Sequence, residues 1–376
     1  RQLYADLGPP AHLTVPGVRF EEWLDAGQCR DCFIPSFNYR PRNSAQYGLA
    51  ISNFDDPGDP KRFRWGFIGS SDNHRGRPGT GYKEFHRLGT TEAAGWEDEE
   101  WSTRASRPIE EAVSRSRGLR DDENVTEMGF AFLEAERQAS FFMTGGLAAV
   151  HSDGRNRQQI WEALKRKEVY GTSGDRILLW FELSNAGDGS AGAPVPMGGT
   201  AEVAEPPRFR VRAVGAFKQK PGCPAAAAEA LGAERLAKLC KAECYHPSDE
   251  RKLITRIEVV RIRPQANKDE SVDDLIQDPW RTLACPPSQA GCSVEFDDAD
   301  FPAAGRDTVY YVRAIEEPSA AVNAGHLRCE YDQDGNCVRV RPCYGDYRTP
   351  ASDDCLSTIE ERAWSSPIYV DYRAAS

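Results

Sequence analysis

The sequence predicts an α/β region over residues 1–176, followed by a β-rich, sandwich-like domain over residues 177–376. Three observations carry this. Between Gly146 and Gly174 the pattern reads strand, helix, strand, the order of a parallel crossover unit. From Ile177 onward, short runs of β-branched and aromatic residues alternate with turn residues, the rhythm of a sandwich. The 376 residues also suit two domains of roughly 100–200 residues each.

Taken in chain order, Phe63–Ile68 is an apolar stretch that reads as a buried strand. It stops at small residues and then presents Asp72 and His74, two positions apart. Alternate side chains of an extended backbone share a side, so both can reach one metal ion or two adjacent ones. Read alone, such a pair is as readily a turn-capping aspartate and a packed histidine. The Gly/Pro-rich tail that follows predicts an open loop. On it, Arg75 and Lys83 either neutralise a phosphate or sulfate or remain surface charges. The acidic, tryptophan-bearing stretch Gly89–Arg104 is a lid or a plain connection.

Helical spacing appears at Arg107–Gly118 and Asn156–Glu168. In the second, Ile160, Trp161, Leu164 and Val169 make an apolar stripe, with Arg157, Lys165, Arg166 and Lys167 outside it. Gly146–Val150 reads as the strand before this helix, and Val169–Gly174 as the strand after it. Thr172, Ser173 and Arg176 end that second strand. They face the metal pocket if their strand neighbours the metal-bearing one; otherwise they cap and turn. His151 at the first strand's end reads as a structural histidine ahead of a pocket residue.

In the second region, strands are expected at Ile177–Leu183, Phe209–Val214, Ile254–Ile262, Val309–Ile315 and Ile368–Tyr372. An alanine-rich helix, Ala225–Cys244, interrupts them, and Gly187–Gly199 reads as a loop. Nine of the eleven cysteines lie between Cys223 and Cys355. Cys285 with Cys292, Cys329 with Cys337 and Cys343 with Cys355 have hairpin-like spacing and read as disulfides. That predicts an oxidising compartment, periplasmic or secreted. Cys29-Arg30-Asp31-Cys32 has C-x-x-C spacing but lacks the surrounding redox-fold pattern, so a small disulfide is expected there. Asp332–Asn336 begins like a calcium loop, but Cys343 stands where the closing glutamate belongs; a hairpin turn explains it better.

A net charge of −11 without a lysine or arginine run argues against nucleic-acid binding, which needs a basic face. No stretch approaches the roughly 20 apolar residues of a membrane helix.

Four segments occur together: Ser70-Ser71-Asp72-Asn73-His74, Pro78-Gly79-Thr80-Gly81-Tyr82-Lys83, Lys165–Gly174 and Arg362–Val370. The combination resembles a large bacterial family related to the PHP (polymerase and histidinol phosphatase) superfamily. The resemblance covers nearly the whole chain. It implies a distorted, TIM-like α/β barrel whose strand ends hold two or three metal ions, with Asp72 and His74 matching the late D-x-H motif. The sequence departs from the pattern in having no H-x-H, the motif that opens the first barrel strand. The expectation is therefore that residues 1–176 are the later part of a barrel whose early ligands lie in a missing N-terminal half of the same precursor.

The leading expectation is a metal-dependent hydrolase of phosphate esters acting on a small anionic ester. Asp72 and His74 would be both catalytic residues and metal ligands. Divalent zinc, manganese or iron would be the cofactor, since mixed Asp/His ligation suits these more than calcium. Arg75, Lys83, Thr172, Ser173 and Arg176 are the expected substrate-binding residues. The rivals are a non-catalytic binding or assembly protein on the same scaffold and a hydrolase of a sulfate ester or lactone.

Overall fold

A computed structural model describes residues 13–14, 44–56, 58, 60–70, 98, 100, 117–118, 146–186, 193–322, 327–331, 333, 337–342, 350, 352–354 and 356–374. The helices are α1 (Ala45–Ala50), α2 (Arg157–Lys165), α3 (Ala225–Leu231), α4 (Ala233–Cys240) and α5 (Phe301–Ala304). The strands begin with β1 (Leu13–Thr14), β2 (Arg117–Gly118), β3 (Leu147–Val150), β4 (Val169–Thr172), β5 (Leu178–Leu183), β6 (Val195–Pro196), β7 (Thr200–Val203), β8 (Arg208–Val214) and β9 (Phe217–Gln219). They continue with β10 (Pro247–Arg251), β11 (Ile254–Ile262), β12 (Ile276–Ala284), β13 (Cys292–Asp297), β14 (Thr308–Glu316), β15 (Ser319–Val322), β16 (Leu327–Tyr331), β17 (Cys337–Pro342), β18 (Leu356–Ile359), β19 (Arg362–Ser365) and β20 (Ile368–Tyr372). The described fold is mixed α/β with mostly antiparallel sheets, and no closed barrel occurs among the described residues.

Two sheets stack face to face. The larger has eight strands in the order β12-β11-β14-β19-β4-β3, with β20 pairing β14 and β7. The smaller runs β13-β8-β5-β6. Strand β5 shows why they stack: Leu179, Phe181 and Leu183 are buried while Leu178 and Trp180 remain exposed, the period-2 signature of a strand with one covered face. Phe181, Phe209 and Phe296 stack across three strands of the small sheet. They meet Ile257, Val259, Tyr310, Val312 and Ala363 of the large one. Each such burial contributes about 1.5–3 kcal/mol.

Every residue of β14 is buried, because the large sheet is covered on its second face too. There α1 and the segment that follows it place Leu49, Ala50, Trp65 and Phe67 on Val260, Ile262, Val309, Tyr311 and Tyr369. Between the sheets, Arg261 donates to both carboxylate oxygens of Asp298 at 2.8 Å, and the Tyr310 hydroxyl donates to the same carboxylate at 2.6 Å.

All five strands expected in the second region are present, and the disulfide Cys285–Cys292 joins β12 to β13. A second disulfide links Cys223 to Cys244. β16 and β17 form the antiparallel hairpin expected around Asp332–Asn336. No described helix is long and apolar enough to cross a membrane.

Three expectations need correction. The strand–helix–strand unit is present, but β3 and β4 pair antiparallel, Val150 opposite Val169. The His151 amide bonds the Glu168 carbonyl at 2.9 Å, so α2 leaves and returns at one end of the sheet and no crossover forms. Phe63–Ile68 forms no strand; Phe63 is 52% and Ile68 66% exposed. The helix expected at Ala225–Cys244 breaks into α3 and α4 at Gly232, whose φ of +75° suits glycine and ends a helical run. Of the helix expected at Arg107–Gly118, residues 107–116 lie outside the described residues, and Arg117–Gly118 pairs with Leu13–Thr14 as a short parallel strand.

Candidate functional site

The segment Arg62–Ser70 crosses the second face of the large sheet, from the β14–β20 end towards β3 and β4. Arg62 pairs with Asp307, and Arg64 with Asp371 at 2.6 Å. The Tyr369 hydroxyl donates to the Trp65 carbonyl at 2.7 Å. The Phe67 amide donates to Ser366 Oγ at 2.8 Å, and that hydroxyl donates in turn to the Val169 carbonyl at 2.5 Å. The Phe67 ring stands edge-on to Tyr311, with centroids 5.3 Å apart. At the far end Gly69 lies directly on β4. A Cβ there would come within 2.8 Å of the Leu147 carbonyl and 3.1 Å of the Thr172 carbonyl. Only glycine allows backbone to approach backbone this closely.

Asp72, His74, Arg75 and Lys83 lie outside the described residues, as do Cys29, Cys32 and His86 and most of Gly89–Arg104. The other three sequence-predicted residues are described, and the structure does not bring them together. On β4, Tyr170 packs into the core between the sheets, so by alternation Thr172 points the same way and Ser173 points to the opposite face. Thr172 is buried and its Oγ1 has no hydrogen-bond partner among the described residues. Ser173 Oγ donates to Glu361 and accepts from the Arg362 amide at 2.8 Å. Arg176 lies over the Tyr245 ring at 3.8 Å. His151 is structural: Nε2 is 2.8 Å from the Leu179 carbonyl, and the ring packs on Tyr170 and Trp180.

Beyond its apolar half, this same sheet face turns charged. Arg313 is 1% exposed; it pairs with Asp278 and, at 2.9 Å, with Glu258. Arg256 makes a two-pronged pair with Glu360 at 2.7 and 2.8 Å and a further bond to Glu258. Gln46 of α1 reaches in to Asp278 and Tyr311. Arg362 differs from these two arginines. Its Nε and Nη2 donate to the Glu360 carbonyl at 3.3 Å, and no carboxylate lies within ion-pair distance among the described residues. Burial, then repulsion from Arg313, lowers its pKa from the ordinary guanidinium value. The Glu258, Glu360 and Glu361 carboxylates act on it only from beyond ion-pair distance, so its guanidinium keeps donors for an anion able to offer two oxygens.

A second cluster lies around Glu316, at this same C-terminal end of β14. Lys252 Nζ is 2.5 Å from Asp175 Oδ2 and donates to Ser319 Oγ at 2.9 Å. Glu316, fully buried, accepts from the Ala216 amide at 2.6 Å and has the Asp175 carboxyl as a neighbour. Burial above all, with repulsion from Asp175, holds the Glu316 carboxyl well above the usual carboxylate range. The cluster is buried at Glu316 and Asp175 and ties β14 to the β8–β9 corner.

Sequence reasoning missed Arg313, Arg362, Glu258 and Asp278. The signal was there in Ile254-Thr-Arg-Ile-Glu-Val-Val-Arg-Ile262, where charged residues interrupt a strongly apolar strand. A central strand carrying charge at alternate positions has a polar patch on a covered face.

A family model described as protein of unknown function (DUF3604) matches residues 34–216. The chain is similar to that family across the Arg62–Ser70 segment, β3, β4 and the strands up to β8. No curated protein and no solved structure matches.

Proposed function

We propose that the chain belongs to a PHP-type metal-dependent hydrolase of phosphate esters, with Asp72 and His74 among its metal ligands. In this reading the α/β region is the later part of a distorted barrel. One observation carries it. Arg62–Ser70, the segment that leads directly into the D-x-H motif in sequence, is held to the sheet up to Gly69, against β3 and β4. A carboxylate oxygen and an imidazole nitrogen suit zinc, manganese or iron. Such ions, when bound, supply an activated water and a clamp on the phosphoryl oxygens. In this reading Arg362 holds a phosphoryl oxygen, and Arg75 and Lys83 neutralise the rest of the anionic ester. Ser173 keeps β4 against β19 and so positions Arg362. The two disulfides support an oxidising compartment, periplasmic or extracellular.

The test is elemental analysis and hydrolysis of a chromogenic phosphate ester, on protein purified natively with any N-terminal fragment retained. Transition metal and activity that are both lost in Asp72→Ala and His74→Ala, with the fold preserved, are the expected result. Full activity in both variants overturns the reading. Sulfate-ester and lactone probes distinguish the neighbouring ester chemistries.

A binding or assembly role is the second reading. The pairing of Arg256 and Arg313 with carboxylates favours it, since paired charges leave little for chemistry. Protein that stays folded and takes up no zinc, manganese or iron decides for it.

A further inference from the structure

Three cysteines converge at the loop after α4, away from the sheet face described above. Cys240 is the last residue of α4, and its Sγ lies 3.3 Å from Cys244 Sγ and 3.8 Å from Cys223 Sγ. All three sulfurs lie within 4.8 Å of one another, and all three residues are half-buried. Cys223 and Cys244 are joined as a disulfide and Cys240 is a free thiol.

Backbone contacts accompany the disulfide in this convergence. Lys241 and Ala242 both have positive φ, +54° and +61°. Two successive non-glycine residues in the left-handed region are uncommon, and here they fold the chain back so that Cys240 and Cys244 meet. The turn is then fastened to the segment between β9 and Cys223. The Lys220 amide donates to the His246 carbonyl at 2.7 Å, the His246 amide to Gln219 Oε1 at 2.8 Å, and the Gly222 amide to Glu243 Oε2 at 2.8 Å.

We propose that Cys223, Cys240 and Cys244, when reduced, form a three-thiolate site for a thiophilic d10 ion, zinc or copper(I). Thiolate selects these ions over hard cations. Zinc–sulfur bonds of about 2.3 Å in tetrahedral geometry place sulfurs roughly 3.8 Å apart, the present Cys223–Cys240 separation. A disulfide alone needs two cysteines; the third, placed against both, is what a metal requires. Disulfide and metal compete for the same sulfurs. A dithiol reductant passes two electrons and two protons to Cys223 and Cys244 and leaves as its own disulfide. The ion then displaces the thiol protons. A soluble or exogenous donor completes the fourth position on zinc.

The test uses the full chain, reduced without oxygen and freed of reductant, titrated with zinc against a chromophoric chelator. The reduced wild type is expected to hold one more equivalent of zinc than Cys240→Ser, and re-oxidation is expected to release that equivalent. Equal stoichiometry in wild type and Cys240→Ser overturns the proposal, as does an equivalent that survives oxidation. Because a variant can fail to fold, alkylation of Cys240 in the wild type is followed by peptide mass. Zinc is expected to slow it at least about tenfold, and an unchanged rate overturns the proposal.

Discussion

Gly69 and Gly171 meet backbone to backbone: a Cβ on Gly171 would stand 2.7 Å from the Gly69 amide nitrogen. Gly171→Ala therefore lifts Arg62–Ser70 off β4. We expect a loss of about 1–3 kcal/mol, the usual cost of overpacking, read by urea unfolding. Bound metal should fall in the same protein. A variant as stable and as metal-loaded as the wild type would show that the segment is not seated this way.

Arg362 should act on substrate binding rather than turnover. A charge-assisted hydrogen bond contributes about 1.5–3 kcal/mol. Arg362→Ala is then expected to raise KM for a chromogenic phosphate ester roughly ten- to a hundredfold with kcat little changed, and Arg362→Lys to recover part of it. Unchanged KM in both removes Arg362 from the site.

Asp298 is the partner that makes Arg261 tolerable in the core, where the two side chains are 0% and 5% exposed. Removing one member of a buried pair strands the other charge. Asp298→Ala should cost about 3–5 kcal/mol, measured as a shift in the denaturant midpoint. A cost below about 1 kcal/mol would mean that water reaches Arg261.

Glu316 sets a pH dependence whose sign follows from linkage. Its folded pKa is raised, so above the unfolded value of about 4.3 the native state binds more protons than the unfolded one. Its contribution to stability is fully present below that pH and is lost as pH rises towards the folded pKa. Glu316→Gln keeps an acceptor for the Ala216 amide without titrating. We expect the variant's Tm to fall less than the wild type's as the pH is raised above the unfolded value of about 4.3. Parallel Tm profiles would remove Glu316 as the cause.

Much of the sandwich was legible because its strands bury one face each. Alternation such as Leu179, Phe181 and Leu183 against Leu178 and Trp180 is a local signal. Pairing direction is not local. The spacing of α2 and its flanking strands is the same for an antiparallel return as for a crossover, and the His151–Glu168 bond decides between them only in three dimensions. The Phe63–Ile68 run misled for a related reason: its apolar residues serve a segment lying across a sheet, where Trp65 and Phe67 face inward and Phe63 and Ile68 do not. At the candidate site, Thr172 and Ser173 were readable as the end of a strand. Their opposite facing required knowing which side β5 covers. Arg362 was readable only as part of a family segment, since Glu258 and Asp278, which pair with Arg313, and Arg313 itself lie on three other strands.

The clamp on Arg62–Ser70 also orders events in time. Its anchors, Ser366, Tyr369 and Asp371, come about three hundred positions later in the chain than the residues they hold. A ribosome delivers the segment long before its seat exists. The segment can take its seat only once the closing strand has been synthesised and folded, so a chain interrupted before Ser366 leaves Arg62–Ser70 without these anchors.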